Sequence, residues 1–234
     1  MISTFLQTAT DAAVEVAPVQ EELSFSLISM AAKGGWLMLV LLALSIVAIY
    51  IFGKKWWAIR QAGKIDKNFI KDVDNYLLDG KVRSAHALCK RSDTPIARMI
   101  DKGVERIDKP LADIRIAVEN VANVEVAKLE KGLPVLATIA GGAPMIGFLG
   151  TVMGMVQAFF NMSQAGNNID ITLLSGGIYT AMITTVGGLI VGILAYFGYN
   201  FLTSQVTSLV AKMEASSIEC LDAAQARKES RNEE

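Results

Sequence analysis

Three long stretches of the chain contain no charged residue, and they dominate its pattern of apolar and polar positions. They cover residues 34–53, 132–169 and 171–211. A helix needs about 20 apolar residues to cross the hydrocarbon core of a bilayer, so each stretch is long enough for a membrane helix. The pattern predicts transmembrane helices over residues 34–53, 132–161 and 172–201, and therefore an all-α membrane protein.

The segment between the first two membrane helices, residues 54–131, carries apolar and charged residues at helical spacing. We expect one helix over residues 66–78 and a second over residues 81–91. A third helix is expected to begin at Pro95, because residues 92–94 are of capping types and proline suits the first turn of a helix.

From Leu111 onward, apolar residues continue at helical spacing and no turn signal precedes Gly132. We expect one long helix that leaves the helical domain of residues 54–131 and enters the membrane. Pro134 and Pro144 are expected to bend this helix without ending it, because a membrane bundle offers other partners to the freed backbone groups.

The remaining segments are the two ends of the chain and the connection between the second and third membrane helices. Residues 1–33 form a lightly acidic arm, whose later part is expected to be an amphipathic helix lying on the outer membrane interface. A disordered tail is the alternative for residues 1–20. Residues 162–171 are expected to form a short outer loop, and residues 202–234 a helix followed by a charged tail.

Charge sets the expected orientation of the chain. Hydrophobic residues make up 52% of it and charged residues only 19%, where a soluble domain carries about 25% charge. Of 22 Lys and Arg residues, five lie elsewhere, which leaves 17 between Lys54 and Lys131. By the positive-inside rule we expect that segment to be cytoplasmic, the amino terminus to lie outside and the carboxyl terminus to be cytoplasmic. No strongly basic domain indicates a nucleic-acid partner.

Small residues form continuous faces on the second and third membrane helices. On the second helix they recur at spacings of three and four: Gly147, Gly150, Thr151, Gly154 and Ala158. On the third helix they form two neighbouring stripes: Thr180, Thr184, Gly188 and Gly192, and beside them Gly177, Ala181, Thr185, Gly188 and Gly192. Such faces let helix backbones approach closely in lipid. The glycines are therefore expected to pack the two helices together, and tight packing alone is one reading of the threonines.

Catalytic chemistry is not indicated by the sequence. His86 and Cys89 share a helical face, but two ligands do not make a metal site. No phosphate-binding loop of the Walker type occurs. Cys89 and Cys220 lie in segments expected to be cytoplasmic, where a disulfide is not expected. We predict no enzymatic activity, no metal and no cofactor.

Three glutamates, Glu119, Glu125 and Glu130, lie along the predicted long helix. We interpret them as a solvated face that pairs with Lys128 and Lys131. Contacts with neighbouring subunits or with ions are the alternative.

The two long uncharged runs contain no Asp, Glu, Lys, Arg or His. A carboxylate relay within this chain therefore cannot carry a proton through them. If protons cross here, the titrating group must come from a partner.

Several motifs of the last two membrane helices occur together. They are Leu129-Glu130-Lys131-Gly132-Leu133, Leu136-Ala137-Thr138-Ile139-Ala140, Ala143-Pro144 followed by residues 147–155, and Gly177-Ile178 followed by Ala181 and Thr185. With these motifs the chain resembles the MotA/TolQ/ExbB proton channel family, and its ExbB members most. The pattern Pro-x-x-Gly-x-x-Gly-Thr-Val-x-Gly, from Pro144 to Gly154, is the most specific part of the resemblance.

The resemblance implies a subunit of a motor in the bacterial inner membrane. Family members of the ExbB type form a homopentameric ring, surrounded by membrane lipid, around ExbD-like subunits that carry one membrane helix and one membrane aspartate. The complex uses the proton motive force to energise a TonB-like transducer for outer-membrane import. The family's pore-lining threonines match Thr151 and Thr185. With Thr180 and Thr184, these are the candidate proton-pathway residues.

The chain departs from the family pattern at two positions. Thr180 stands where the family has a glutamate, and Leu194 stands where a proline is common. Loss of that glutamate strengthens the expectation that the acid is supplied by a partner.

Other functions remain open from the sequence. A TolQ-like subunit, or a MotA-like or gliding-type stator subunit, is a related alternative, although three membrane segments and a moderate first loop favour ExbB over MotA. A non-conducting membrane scaffold, held together by the glycine faces, is an alternative of a different class.

Overall fold

The computed structural model describes residues 35–65, 68–164 and 171–233. Over these residues the chain is helical and contains no strand, which confirms the all-α prediction. Its helices are α1 (Gly35–Ala62), α2 (Phe69–Leu78), α3 (Val82–Arg91), α4 (Pro95–Glu105), α5 (Leu111–Glu130), α6 (Leu133–Gln164) and α7 (Ile171–Glu233). The predicted arm, residues 1–33, lies outside the described residues, as do residues 165–170 of the predicted loop.

Three stretches are long and apolar enough to cross a membrane: Gly35–Ala62, Leu111–Gln164 and Leu174–Glu229. At 1.5 Å per residue, α6 is about 48 Å long and α7 about 95 Å, against a hydrocarbon core of about 30 Å. The prediction of three membrane-crossing helices is thus confirmed by length and composition. It also follows that α7 extends far beyond its uncharged part.

The uncharged parts of α6 and α7 pack along each other as a hairpin, and α1 packs against both. α6 continues to Gln164, so residues 162–164, which were expected to belong to the outer loop, are helical. α7 runs without interruption through residues 201 and 202, where the sequence suggested a division between membrane helix and C-terminal helix.

The second half of α7 supports a bundle made of the shorter helices α2 to α5. The residues at its centre are apolar and fully buried: Val73, Leu77, Ala85, Met99, Ile100, Ile114, Val118 and Met213. α4 begins as predicted, because the Thr94 hydroxyl accepts a hydrogen bond from the Ala97 amide and proline follows at the first helical position. Val124 follows Leu111 at the helical spacing of the apolar residues, but it is 55% exposed on α5.

The predicted long helix from Leu111 into the membrane is wrong at one point, since α5 ends at Glu130 and α6 begins at Leu133. Gly132 breaks the helix with a φ of +97°, a conformation that only glycine adopts readily. Pro134 then lies in the first turn of α6, where its missing amide hydrogen costs nothing. Pro144 lies inside α6 and does not end it, as predicted.

Candidate functional site

The interface between α6 and α7 is built from glycines that meet backbone. A Cβ atom placed on Gly147 would lie 2.9 Å from the Thr184 carbonyl oxygen, and one on Gly188 would lie 2.6 Å from the Ala143 carbonyl oxygen. Real Cβ atoms do not approach backbone atoms this closely. The two helices can therefore reach this separation only with glycine at both positions.

Other predicted packing glycines occupy the same interface. A Cβ on Gly154 would lie 2.7 Å from Ala181 Cβ, and one on Gly177 would lie 2.8 Å from Ala158 Cβ. A Cβ on Gly192 would lie 2.5 Å from Pro144 Cγ. Without bulky side chains, backbone packing replaces the hydrophobic drive that is missing between helices in lipid.

Thr151 of α6 and Thr185 of α7 face each other across this interface, and their hydroxyl oxygens are in hydrogen-bond contact. The Thr185 hydroxyl donates to the Gly147 carbonyl at 3.1 Å. The Thr151 hydroxyl lies 3.3 Å from the Ala181 carbonyl, to which it can donate. The structure thus brings together two of the four candidate threonines, and we call them the threonine pair.

The threonine pair is suited to both protonation states of a carboxyl group. A hydroxyl oxygen accepts a hydrogen bond from a protonated acid, and the same hydroxyl can turn to donate to a carboxylate. Both side chains are only partly buried, so they remain accessible at the surface of the monomer. No Asp, Glu, Lys, Arg or His occurs in residues 133–164 or 171–211, so these ranges offer the pair no carboxylate and no basic side chain.

The other two candidate threonines are placed differently. Thr184 is 3% exposed, and its hydroxyl donates to the Ala181 carbonyl at 2.7 Å. It packs against Gly150, on a side of the hairpin that α1 covers through Leu37. Thr180 is partly buried on α7, one helical turn before Thr184.

A cluster of ion pairs surrounds the buried Glu125 in the helical bundle, and it corrects the interpretation of this residue. This side chain is not part of a solvated face, because it is 5% exposed. Arg98 of α4 donates to Glu125 Oε2 at 2.6 Å, and Lys128 donates to Glu125 Oε1 at 2.8 Å. Arg98 also pairs with Asp93, and the hydrogen bond to Glu125 raises the pKa of Arg98. The cluster ties α4 to α5.

The sequence contained a signal for Glu125 that the charge pattern concealed. Glu125 lies seven residues after Val118 and four before Leu129, both of which are buried, so it occupies the apolar face of α5. Glu119 and Glu130 are exposed, in agreement with the solvated interpretation.

Lys55 was not singled out in the sequence, yet it joins α1 to the break between α5 and α6. Its Nζ donates to the carbonyl oxygens of Lys128 and Leu129 at 3.0 and 3.2 Å. These carbonyls belong to the last turn of α5, where helical partners are missing and a cation is favoured.

Asp74 of α2 lies against α7. Burial, together with the charges of Glu219 and Asp222, raises the pKa of Asp74 to about 6. Within the described residues its Oδ1 atom is buried without a hydrogen-bond partner.

His86 and Cys89, the residues considered for metal binding, lie in different environments: His86 pairs with an aspartate and Cys89 is buried. His86 Nδ1 lies 2.6 Å from Asp101 Oδ1. Cys89 and Cys220 are both buried and free, and burial raises the pKa of Cys89 to about 12, which keeps it a thiol. Among the described residues no group of three potential metal ligands occurs.

Together, three apolar helices and a glycine-lined hairpin define a helical protein of the multi-pass membrane class. The sequence profile of the MotA/TolQ/ExbB proton channel family matches residues 91–215, which include the whole hairpin and the threonine pair. The chain belongs to this family.

Several curated relatives of the chain carry ExbB names. A putative biopolymer transport protein ExbB-like 1 of Synechocystis sp. is 29% identical over 174 residues, which are 74% of this chain and 68% of the relative. A putative biopolymer transport protein ExbB homolog of Methanothermobacter thermautotrophicus is 26% identical over 190 residues, 81% of this chain and 67% of the relative. The biopolymer transport protein ExbB of Xanthomonas campestris pv. campestris is 35% identical over 98 residues, 42% of this chain and 38% of that protein. These similarities support a role as a proton channel in biopolymer transport.

Proposed function

We propose that this chain is the ring-forming subunit of a proton-driven motor in the bacterial inner membrane. It acts with an ExbD-like subunit that has one membrane helix and a membrane aspartate, and the motor works on a TonB-like transducer to energise outer-membrane import. The observation that carries the proposal is the threonine pair, Thr151 and Thr185, in an interface without an ionisable group.

The proton carrier in this proposal is the partner's aspartate. A charge inside a membrane costs a few kcal/mol at least, so the aspartate favours its protonated form unless hydroxyls or water solvate it. Thr151 and Thr185 offer that solvation to either form. The membrane field supplies about 2.3 kcal/mol per charge per 100 mV, which is enough to drive a change in helix packing.

The proposed orientation places the amino terminus in the periplasm and the bundle and carboxyl terminus in the cytoplasm. It is supported by the 17 cations between Lys54 and Lys131, several of which directly follow the first uncharged run.

The proposed assembly is a homopentamer around the partner helices. Large apolar side chains of the hairpin are more than 40% exposed in the monomer: Phe148, Val152, Val156, Met182, Ile193 and Phe197. Such a surface needs neighbouring copies or lipid to cover it. A ring supplies both.

The test is a pair of isosteric substitutions in the assembled complex. Thr151→Val and Thr185→Val keep the side-chain shape but remove the hydroxyls, so we expect energised transport to be lost while assembly is retained. Thr138→Val is the matched control, because among the described residues the Thr138 hydroxyl bonds only to the Pro134 carbonyl of its own helix. Unchanged transport with both valines present would refute a role for the hydroxyls.

A second experiment separates the motor from a scaffold. Proton flux is measured in liposomes that contain the chain alone or with the acid-bearing partner. A motor subunit conducts only with the partner. Absence of flux in both preparations, with assembly intact, would favour the non-conducting scaffold.

A further inference from the structure

An apolar cavity of about 430 Å³ opens between α1, α6 and α7. Its walls include Ala48, Phe52, Leu136 and Ala195, and the one hydroxyl among its lining residues belongs to Ser45. A polar ligand would lose its hydrogen bonds to water there without replacing them. The cavity therefore favours a hydrocarbon chain.

A second cavity, of about 210 Å³, continues the first towards the charged end of α1. The two share Phe201, and the second is lined by Trp56, Arg60 and Gln205 as well. The lining residues of α1 recur at steps of three and four, so they lie on one face of the helix. We call the two cavities together the α1–α7 groove.

Among the described residues, the cation at the charged end of the groove has no acidic partner. Arg60 is exposed, and its guanidinium lies 5.8 Å from the centre of the Trp56 ring. None of the ion pairs among the described residues involves Arg60. Lys64 lies four residues further along the chain, so the potential at this end favours an anion.

The length of the apolar part matches one leaflet of a bilayer. From Ser45 to Trp56 α1 rises about 16 Å, and half of a hydrocarbon core is about 15 Å. Tryptophan is enriched at the membrane interface, which places Arg60 at the level of the lipid headgroups.

We propose that the α1–α7 groove binds one anionic phospholipid. An acyl chain lies along Phe52 and Ala195, and the phosphate contacts Arg60. A helix from a second copy of the chain would fill the apolar part but would leave Arg60 without an anion. A phospholipid satisfies both ends of the groove. The proposal requires only that the chain spans a membrane, so it stands or fails independently of the proton pathway.

The test uses Trp56 as a reporter within the groove. The chain has three tryptophans, so Trp36→Phe and Trp57→Phe leave Trp56 as the only one. The full-length chain, reconstituted without partner subunits so that no other tryptophan contributes, is titrated with phosphatidylglycerol brominated near the carbonyl end of its chain, and with phosphatidylcholine brominated in the same way. We expect half-maximal quenching at an about fivefold lower mole fraction of phosphatidylglycerol, the factor that one basic residue near an anionic headgroup contributes.

Two charge variants in this background test the role of Arg60. Arg60→Gln should abolish the preference for phosphatidylglycerol. Lys54→Gln is the matched control, because Lys54 belongs to the same interface but lies over the Tyr50 ring and does not line the groove. It should retain the preference. Quenching is expressed relative to the unquenched intensity of each variant, since Arg60 itself lies near Trp56.

Three results of the lipid titrations would overturn the proposal, and a competition experiment with glycerol 3-phosphate gives a fourth. They are equal quenching by the two lipids, an unchanged preference in Arg60→Gln, and the absence of quenching by either lipid, which would indicate that a neighbouring subunit covers the groove. Glycerol 3-phosphate separates a lipid headgroup from a free phosphate. If this chain-free phosphate relieves the quenching, the site recognises the phosphate alone and the phospholipid proposal is wrong.

Discussion

Gly188 offers the sharpest test of the link between helix packing and the threonine pair. In Gly188→Ala the new Cβ would lie 2.6 Å from the Ala143 carbonyl oxygen and 2.9 Å from Gly147 Cα. Both neighbours are backbone atoms, so no side chain can rotate away. The hairpin itself has to open.

The size of the opening follows from these distances. To restore an ordinary contact of about 3.5 Å, α6 and α7 must separate by about 0.9 Å at this level. The hydrogen bond from Thr185 to the Gly147 carbonyl is 3.1 Å long. A shift of that size would stretch it to about 4 Å, which is no longer a hydrogen bond. Overpacking of this kind costs about 1–3 kcal/mol.

The assay combines stability with proton flux. We expect Gly188→Ala to lower the thermal unfolding midpoint of the purified complex and to reduce proton flux in liposomes. Gly141→Ala in α6 is the control, because a Cβ there meets no atom within 4 Å, and it should behave like the unchanged chain. Unchanged stability and flux in Gly188→Ala would refute the argument that backbone contact holds the threonine pair together.

Three further predictions concern the bundle and its junction with the membrane helices. In a denaturant titration, Glu125→Gln should lower the free energy of unfolding by about 1.5 kcal/mol. This value is near the lower end for a hydrogen bond to a charged group, because Arg98 is 41% exposed. The control Glu119→Gln, at an exposed position, should change the free energy of unfolding by less than about 0.5 kcal/mol. The folded chain holds a proton on Asp74 between pH 3.8 and about 6 that the unfolded chain has released. The contribution of Asp74 to stability therefore falls as pH rises through that window. Asp74→Asn should raise the thermal unfolding midpoint at pH 8 but not at pH 4. An equal effect at both pH values would contradict the raised pKa. Gly132→Ala should destabilise the chain by about 1–2 kcal/mol, since alanine is strained at a φ of +97°; a calorimetric midpoint equal to that of the unchanged chain would show that the junction relaxes.

Much of the candidate site could be predicted because it depends on short-range spacing. Gly147, Thr151 and Gly154 lie three and four residues apart, and a helix with that spacing presents them on one face whatever surrounds it. Glu125 could not be interpreted correctly from spacing to Lys128 and Lys131 alone. Its main partner, Arg98, lies 27 residues away on another helix, and only the packing of α4 on α5 brings the two together.

The sequence by itself determined the class of the protein, the number of its apolar helices and the small-residue faces, because hydropathy and helical period are local properties. It did not determine which threonines meet. Thr184 and Thr185 are adjacent on α7, yet one is buried beneath α1 and the other contacts Thr151. The tertiary structure also decided where the long helix breaks, since Pro134 and Pro144 were visible but the backbone conformation of Gly132 was not. In both cases the deciding contacts join residues that are far apart in the sequence. The helices packed against α7 set its rotation about its own axis, and Lys55 of α1 binds the end of α5 beside Gly132.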